Sequence, residues 1–252
     1  TIGDTLYNGM SDFSGVIDQV LHSVIIPLLP LYICGTFTNM TKSGQTFAIL
    51  GILWKVFLVV ILMHLICIFL QFLVAGAVSR KNPFRLIRNQ IPGYITALGT
   101  QSSAATIPVN KEACDNIGVP KDVSDLVLPM GCTMHMDGSV LSSIVKIAFL
   151  YGVFGKDFVG AETYAMAIVV AILSAFVLSG APGGGLVGEM LIVSMFNFPA
   201  EAFPIIATLG FIFDPAATCL NSSGDTIASM IVTRLVEGKD WFVKAGAAKK
   251  ET

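Results

Sequence analysis

In 252 residues, hydrophobic side chains make up 54% and charged ones 13%, with a formal net charge of -2 and a mean hydropathy of +0.77. Soluble domains carry roughly 25% charged residues, so the composition excludes an ordinary soluble globule, and the near-neutral charge offers nothing to a nucleic-acid partner. Five cysteines, Cys34, Cys67, Cys114, Cys132 and Cys219, lie in apolar sequence without metal or redox spacing, which leaves them as small buried hydrophobes.

The chain opens on Thr1 without the charged region, short apolar core and cleavage site of a signal peptide, and is read as a piece lacking its N-terminal part. Its first apolar stretch is residues 13–40. In the 33 residues from 46 to 78, only Lys55 and His64 are charged or imidazole side chains. About 20 residues cross a hydrocarbon core, so this helix spans with tilt or overhang. A basic cluster follows: Arg80, Lys81, Arg85 and Arg88. Then comes an interrupted tip, Gln101-Ser102-Ser103-Ala104-Ala105-Thr106-Ile107-Pro108, with Lys111 and Lys121 flanking its return arm. Residues 126–154 are apolar but broken by Asp137. Two shorter apolar stretches, 163–180 and 186–198, flank a second tip reading Gly-Ala-Pro-Gly-Gly-Gly at 180–185. The last stretch begins at residue 203, meets Asp214 and Pro215, and continues to about residue 236. The tail, 245–252, is small and polar and is expected to be disordered.

The order repeats. Asp137 lies 29 residues after Pro108, and Asp214 lies 32 residues after Pro182. Interrupted apolar segments at matching places in two halves mark the midplane site of a secondary transporter, where helix ends and unwound backbone replace water around a solute. Arms too short to cross alone read as re-entrant hairpins, tolerated where protein or a water-filled cavity covers them. Arg234, Lys239, Lys244, Lys249 and Lys250 crowd the C-terminus, while Lys42 and Lys156 stand alone in the opposite loops. By the positive-inside rule the C-terminus is cytoplasmic, the first hairpin enters from the inside and the second from the outside. The fold class expected is an all-α integral membrane protein with an inverted-repeat core of two re-entrant hairpins and two broken transmembrane helices.

Three strings concentrate the chemistry. In Met130-Gly131-Cys132-Thr133-Met134-His135-Met136-Asp137-Gly138-Ser139, a carboxylate at membrane depth costs on the order of 3 kcal/mol and needs a partner. A cation suits it: Gly131 and Gly138 are expected to let the helix unwind, freeing carbonyls beside Asp137, Thr133 and Ser139. Asp137 also suits an N-cap for the second half-helix. In the last stretch Asp214, Thr218, Asn221 and Asp225 stack on one helical face that must look into protein or a cavity, either as a binding stripe or as a hydrogen-bond network. At the first tip, Ser102, Ser103 and Thr106 offer hydroxyls and amides near a helix start, which suits an anionic group. The second tip, with Ala181 and Gly185, supplies a pliant lid.

On these residues the chain resembles the dicarboxylate/amino acid:cation symporter family. The serine-rich tip matches at Ser102 to Pro108, the Asn-Met-Asp-Gly-Thr string appears as His135-Met136-Asp137-Gly138-Ser139, the Gly-Val-Pro-Gly tip as Gly180-Ala181-Pro182-Gly183, and the last helix from Asp214 to Asp225. The resemblance implies a sodium-coupled amino acid symporter, not an enzyme, lying in the inner or plasma membrane among lipid and trimeric when full length. Residues 1–40 are then the remnant of a scaffold domain, with residues 13–40 as its last helix. Residues 41–244 form a domain that moves like an elevator: a long helix, a hairpin over about 89–121, a broken helix over 123–155, a second hairpin over 162–198 and a broken last helix over 203–236. It implies that Asp214 holds the substrate amino group beside Thr218 and Asn221, and that Ser103, the hairpin backbone, Ser102, Thr106, Ala181 and Gly185 serve substrate binding. Sodium falls to Gly131, Asn221 and Asp225, to Thr133 with the second tip, and to Asp137, with His135 and Ser139 in the same string.

Two departures bear on this. Members that carry acidic substrates have an arginine four residues before the asparagine; here it is Ala217. Without a bidentate guanidinium, a neutral amino acid is the expected substrate. The sodium-binding asparagine is His135, whose imidazole is an acceptor only when neutral and could carry a proton instead of a cation, so H+ is the alternative coupled ion. An intramembrane aspartyl protease or a channel would leave both tips without a use. His22 and His64 read as packing residues, Lys55 and Lys146 as snorkelling ones, and Glu189 has no assigned role.

Overall fold

Where water is excluded, backbone N–H and C=O groups must pair within their own segment, so the long apolar runs become helices. The computed structural model describes residues 2–20, 23–24, 26–42, 45–178, 185–238 and 241. Among them run α1 (Ile2–Val20), α2 (Ile26–Lys42), α3 (Gln45–Ser79), α4 (Pro83–Asn89), α5 (Ile91–Thr100), α6 (Ser103–Ile117), α7 (Lys121–Met134), α8 (Asp137–Val153), α9 (Ala161–Leu178), α10 (Gly185–Met195) and α11 (Ala202–Glu237). Among the described residues three segments are long and apolar enough to cross a membrane: Gly51–Ser79, Lys121–Val153 and Ala202–Glu237. Ala161–Val177 and Gly185–Met195 are shorter apolar helices.

The 35 residues of α3 rise about 1.5 Å each, longer than a hydrocarbon core of about 30 Å is thick. Trp54, Leu58, Leu62, Leu65 and Leu70 point outward, while Val60, His64, Phe72 and Ala75 are buried. α11 is the centre of the bundle and packs against α2, α3, α5, α6, α7, α8 and α10. Its two ends enter different apolar cores. Leu209 and Phe213 join Ile147, Leu150 and Ile192 in one, and Ile227 and Met230 join Phe72, Leu86, Ile117 and Leu128 in the other. Between them the buried side chains of α11 turn polar: Thr218, Asn221, Ser222, Ser223, Asp225 and Thr226.

Side chains close the helix ends on one side of the bundle. Arg234 donates to the Val78 carbonyl at 3.1 Å, Lys81 to the Ile117 carbonyl at 3.0 Å, and Asn89 to the Ala113 carbonyl at 2.8 Å. The first two satisfy carbonyls in the last turns of α3 and α6, which find no N–H inside their own helix, and the third ties α4 to α6.

Four features differ from the sequence expectations. Residues 13–40 fall in two helices, α1 and α2; Pro27, lacking an N–H, sits in the first turn of α2, where none is needed. The last helix is continuous from Ala202 to Glu237 with Pro215 inside it. Proline deletes one bond and strains the turn before it, and the helices packed around α11 hold the remaining ladder in place. The first tip breaks at Gln101, in left-handed backbone with φ 52°, and Pro108 lies within α6. Gly131 stays helical, and the break of the long segment falls at His135 and Met136. The lid stretch from Gly180 to Gly184, including Ala181, and the tail 245–252 lie outside the described residues.

Candidate functional site

The site forms where the break between α7 and α8 crosses the polar middle of α11. His135 leaves the helix at φ -92°, ψ 85°, although its own N–H still bonds the Gly131 carbonyl at 2.7 Å. Met136 is the N-cap of α8 and supplies no capping side chain. Asn221 of α11 does so instead. Its Oδ1 accepts from the Gly138 N–H at 2.8 Å and the Ser139 N–H at 3.4 Å, and its Nδ2 donates to Ser139 Oγ at 3.0 Å. A capping oxygen thus comes from another helix rather than from Asp137, satisfying two of the amides that a helix start leaves open.

That leaves the acids with spare oxygens. Asp137 accepts from Gln71 of α3 through Oδ2, while Asp137 Oδ1 and Asp225 Oδ1 are buried without a hydrogen-bond partner. The two charges repel each other, and the His135 ring lies between them: Nδ1 is 3.6 Å from Asp137 Oδ1, 3.8 Å from Asp225 Oδ1 and 3.3 Å from the Asn221 carbonyl. Glycines make this crossing possible by omission. A Cβ at Gly131 would meet the Asp225 carboxylate, one at Gly138 the Ala217 backbone, and one at Gly224 the His135 ring. The first two were expected to let the helix unwind, and it breaks between them at His135 and Met136; they also let helices and side chains close in. A cavity of about 230 Å³ opens beside the break, lined by His135, Asp137 and Val140 with Ile172 and Phe176 of α9.

Oxygen donors of this kind suit a hard, weakly directional cation. Among the described residues no group of three or more His, Cys, Asp or Glu side chains is arranged to hold a metal ion by itself, so the remaining ligands of such a cation would be carbonyls or hydroxyls. Thr133 is not among those drawn together: it is exposed and donates to the Met130 carbonyl at 3.0 Å.

The first tip reaches α11 through amides. Ser102 caps α6, accepting from the Ala105 N–H at 3.3 Å, and Thr106 donates to the Ser103 carbonyl at 2.6 Å, so both hydroxyls already serve the helix start. Ser103 is buried beside them. Behind the tip Gln90 donates to Asn110 at 2.7 Å, and Asn110 donates to the Ser222 carbonyl at 3.0 Å. This network docks the hairpin onto α11.

Asp214 stands on the same helix toward the other core. Lys146 does not snorkel: it is buried and pairs with Glu189 at 2.9 Å, and the charge of Asp214 acts on both. Ala217 and Thr218 are buried one turn further along, and Gly185 opens α10. Gln71, the Lys146–Glu189 pair and Gly224 belong to the neighbourhood without having been singled out from sequence as parts of it. His64 is buried as expected of a packing residue, but it also joins helices, with Nδ1 2.7 Å from the Val60 carbonyl and Nε2 3.1 Å from the Gly138 carbonyl and 3.3 Å from Ser142 Oγ. A polar residue in an otherwise apolar run was the one signal available for Gln71, Lys146 and Glu189.

Comparison with known proteins gives the chain a context. The model of the Sodium:dicarboxylate symporter family matches residues 2–235. Excitatory amino acid transporter 2 of Mus musculus is 30% identical over 234 residues, covering 90% of this chain and 40% of the relative. Neutral amino acid transporter B(0) of Homo sapiens is 31% identical over 209 residues, covering 81% and 38%. Serine/threonine transporter SstT of Streptococcus agalactiae serotype III (strain NEM316) is 31% identical over 237 residues, covering 91% and 58%. The chain therefore spans about two fifths of the first two relatives and under two thirds of the third.

Proposed function

Because this chain belongs to the sodium:dicarboxylate symporter family, we propose that the whole protein is a sodium-coupled symporter of a neutral amino acid, and that residues 41–244 form most of the body that moves across the membrane. The observation that carries the reading is the pair of buried carboxylate oxygens, Asp137 Oδ1 and Asp225 Oδ1, left without a donor at a helix break. An intramembrane acid without a partner is costly, and a cation that enters with the substrate removes that cost while it is bound. Sodium is here a transported solute, held by Asp225 with the backbone at Gly131 and Asn221, and by Asp137.

Asp214 takes the amino group of the substrate beside Thr218, and the start of α6 at Ser103 takes its carboxylate. Two α-helical hairpins, α5–α6 and the pair α9 and α10, act as re-entrant gates, the second through the stretch that includes Ala181. Ala217 leaves no guanidinium for a side-chain carboxylate, which favours a neutral substrate. The basic residues that follow α3 and those at the end of α11, two helices tied through Arg234 and Val78, support a cytoplasmic C-terminus under the positive-inside rule.

A second reading rests on His135, whose Nδ1 faces both acids: a proton on the imidazole could neutralise them in place of a cation. Binding of a panel of twenty amino acids to the full-length protein in proteoliposomes separates the two. Sodium-dependent binding of small neutral amino acids, lost in Asp225→Asn, is expected. Binding indifferent to sodium but abolished by collapse of a proton gradient would transfer the role to His135, and no amino acid binding under either gradient overturns the reading.

A further inference from the structure

Lys146, Glu189 and Asp214 come from three different helices, α8, α10 and α11, and bring two carboxylates and one ammonium into one neighbourhood, in which Lys146 and Glu189 are buried and Asp214 is half-buried. Lys146 Nζ bonds Glu189 Oε1 at 2.9 Å, with the side chains 6% and 3% exposed, while Glu189 Oε2 has no hydrogen-bond partner. Asp214 stands one helical turn beyond Gly210, against which Glu189 packs, on the same face of α11, and its charge acts on both. Gly210, one turn before Asp214, has no side chain, and a Cβ there would occupy the place of Glu189 Oε1. The carboxylate of Glu189 thus fits into a notch in α11 that only glycine leaves open.

We propose that Glu189 is a positioning residue that holds the Lys146 ammonium away from Asp214, so that Asp214 keeps a full negative charge for the amino group of the substrate. The inference rests on the assignment of Asp214 to that amino group. The charge count gives the mechanism. With Lys146 neutralised by Glu189, Asp214 contributes -1, and a bound substrate ammonium brings the group to zero. Without the Glu189 charge, Lys146 neutralises Asp214, and an incoming ammonium would leave a net positive charge in a buried site, which a low-dielectric interior opposes. Removing both Lys146 and Glu189 charges restores -1 at Asp214. A merely structural pair predicts no such restoration.

The test is sodium-driven uptake of serine and alanine by the full-length protein in proteoliposomes, with thermal unfolding of each variant measured alongside. Glu189→Gln is expected to raise KM about tenfold or more, with kcat changed by less than about twofold. Gly210→Ala, which displaces Glu189 without altering a charge, moves KM the same way. The double variant Lys146→Met with Glu189→Gln returns KM to within about threefold of the parent. Should Glu189→Gln not fold, Gly210→Ala and the double variant carry the same comparison. An unchanged KM in the single variants, or a double variant as impaired as they are, overturns the proposal while leaving transport intact. A parent protein that takes up no amino acid overturns both this proposal and the transport reading.

Discussion

Ala217 is buried against the backbone at Gly138, at the step of α11 between Asp214 and Asn221. Its methyl group offers a substrate side chain neither charge nor hydrogen bond. An arginine there would put a guanidinium beside the cleft, able to grip a carboxylate with two parallel bonds. Ala217→Arg is therefore expected to shift preference toward aspartate over serine by about tenfold or more, since a charge-assisted hydrogen bond contributes roughly 1.5–3 kcal/mol. Competition binding in sodium reads this directly, and an unaltered preference would remove Ala217 from the substrate pocket. At this scale residue type was legible: a carboxylate in an apolar run announces itself. Partners were not. Glu189 had no evident role until Lys146, 43 positions away, came within 2.9 Å, and Gln71 reaches Asp137 from 66 positions away.

At the scale of helices, the start of α8 depends on a neighbour. Asn221 accepts from two of its amides, so the broken segment holds its shape only when docked on α11. Asn221→Ala is expected to cost about 1–2 kcal/mol of stability even without sodium, the loss typical of a helix cap, whereas Asn221→Asp keeps the acceptor and most of the stability. Thermal unfolding in sodium-free buffer checks this; equal melting of Asn221→Ala and parent would show that the cap carries no weight. Most helices were legible as apolar runs with their stops, because length and hydropathy constrain any segment that must satisfy its own backbone. The breaks were less so. Glycine at 131 and proline at 215 both signal interruption locally, yet each lies inside a helix here, since packing from several sides outweighs a local preference of about 1–3 kcal/mol. The interruption at His135 and Met136 has no such marker, and the Asn221 amide accounts for it only in three dimensions.

In the whole molecule, two apolar cores clamp the ends of α11 while a polar layer of acids, amides and hydroxyls fills its middle. If α5 and α6 form a re-entrant gate, Ser103 at their junction lies at the end of a water-filled path from the cytoplasm. A cysteine at Ser103, in a background with Cys34, Cys67, Cys114, Cys132 and Cys219 replaced, is expected to react with a membrane-impermeant thiol reagent from the cytoplasmic side only, and severalfold more slowly with sodium and substrate bound. Labelling from the outside alone would reverse the orientation. By itself the sequence determined that this chain lives in a membrane, where most of its helices lie, and which acids and hydroxyls interrupt its apolar runs. These follow from hydropathy and spacing, which act along the chain. Only the tertiary structure decided which acid keeps an unpaired oxygen, which amide is spent as a cap, and which lysine is committed to a glutamate. Those outcomes depend on distances between helices, and at membrane depth no water is present to substitute for a missing partner.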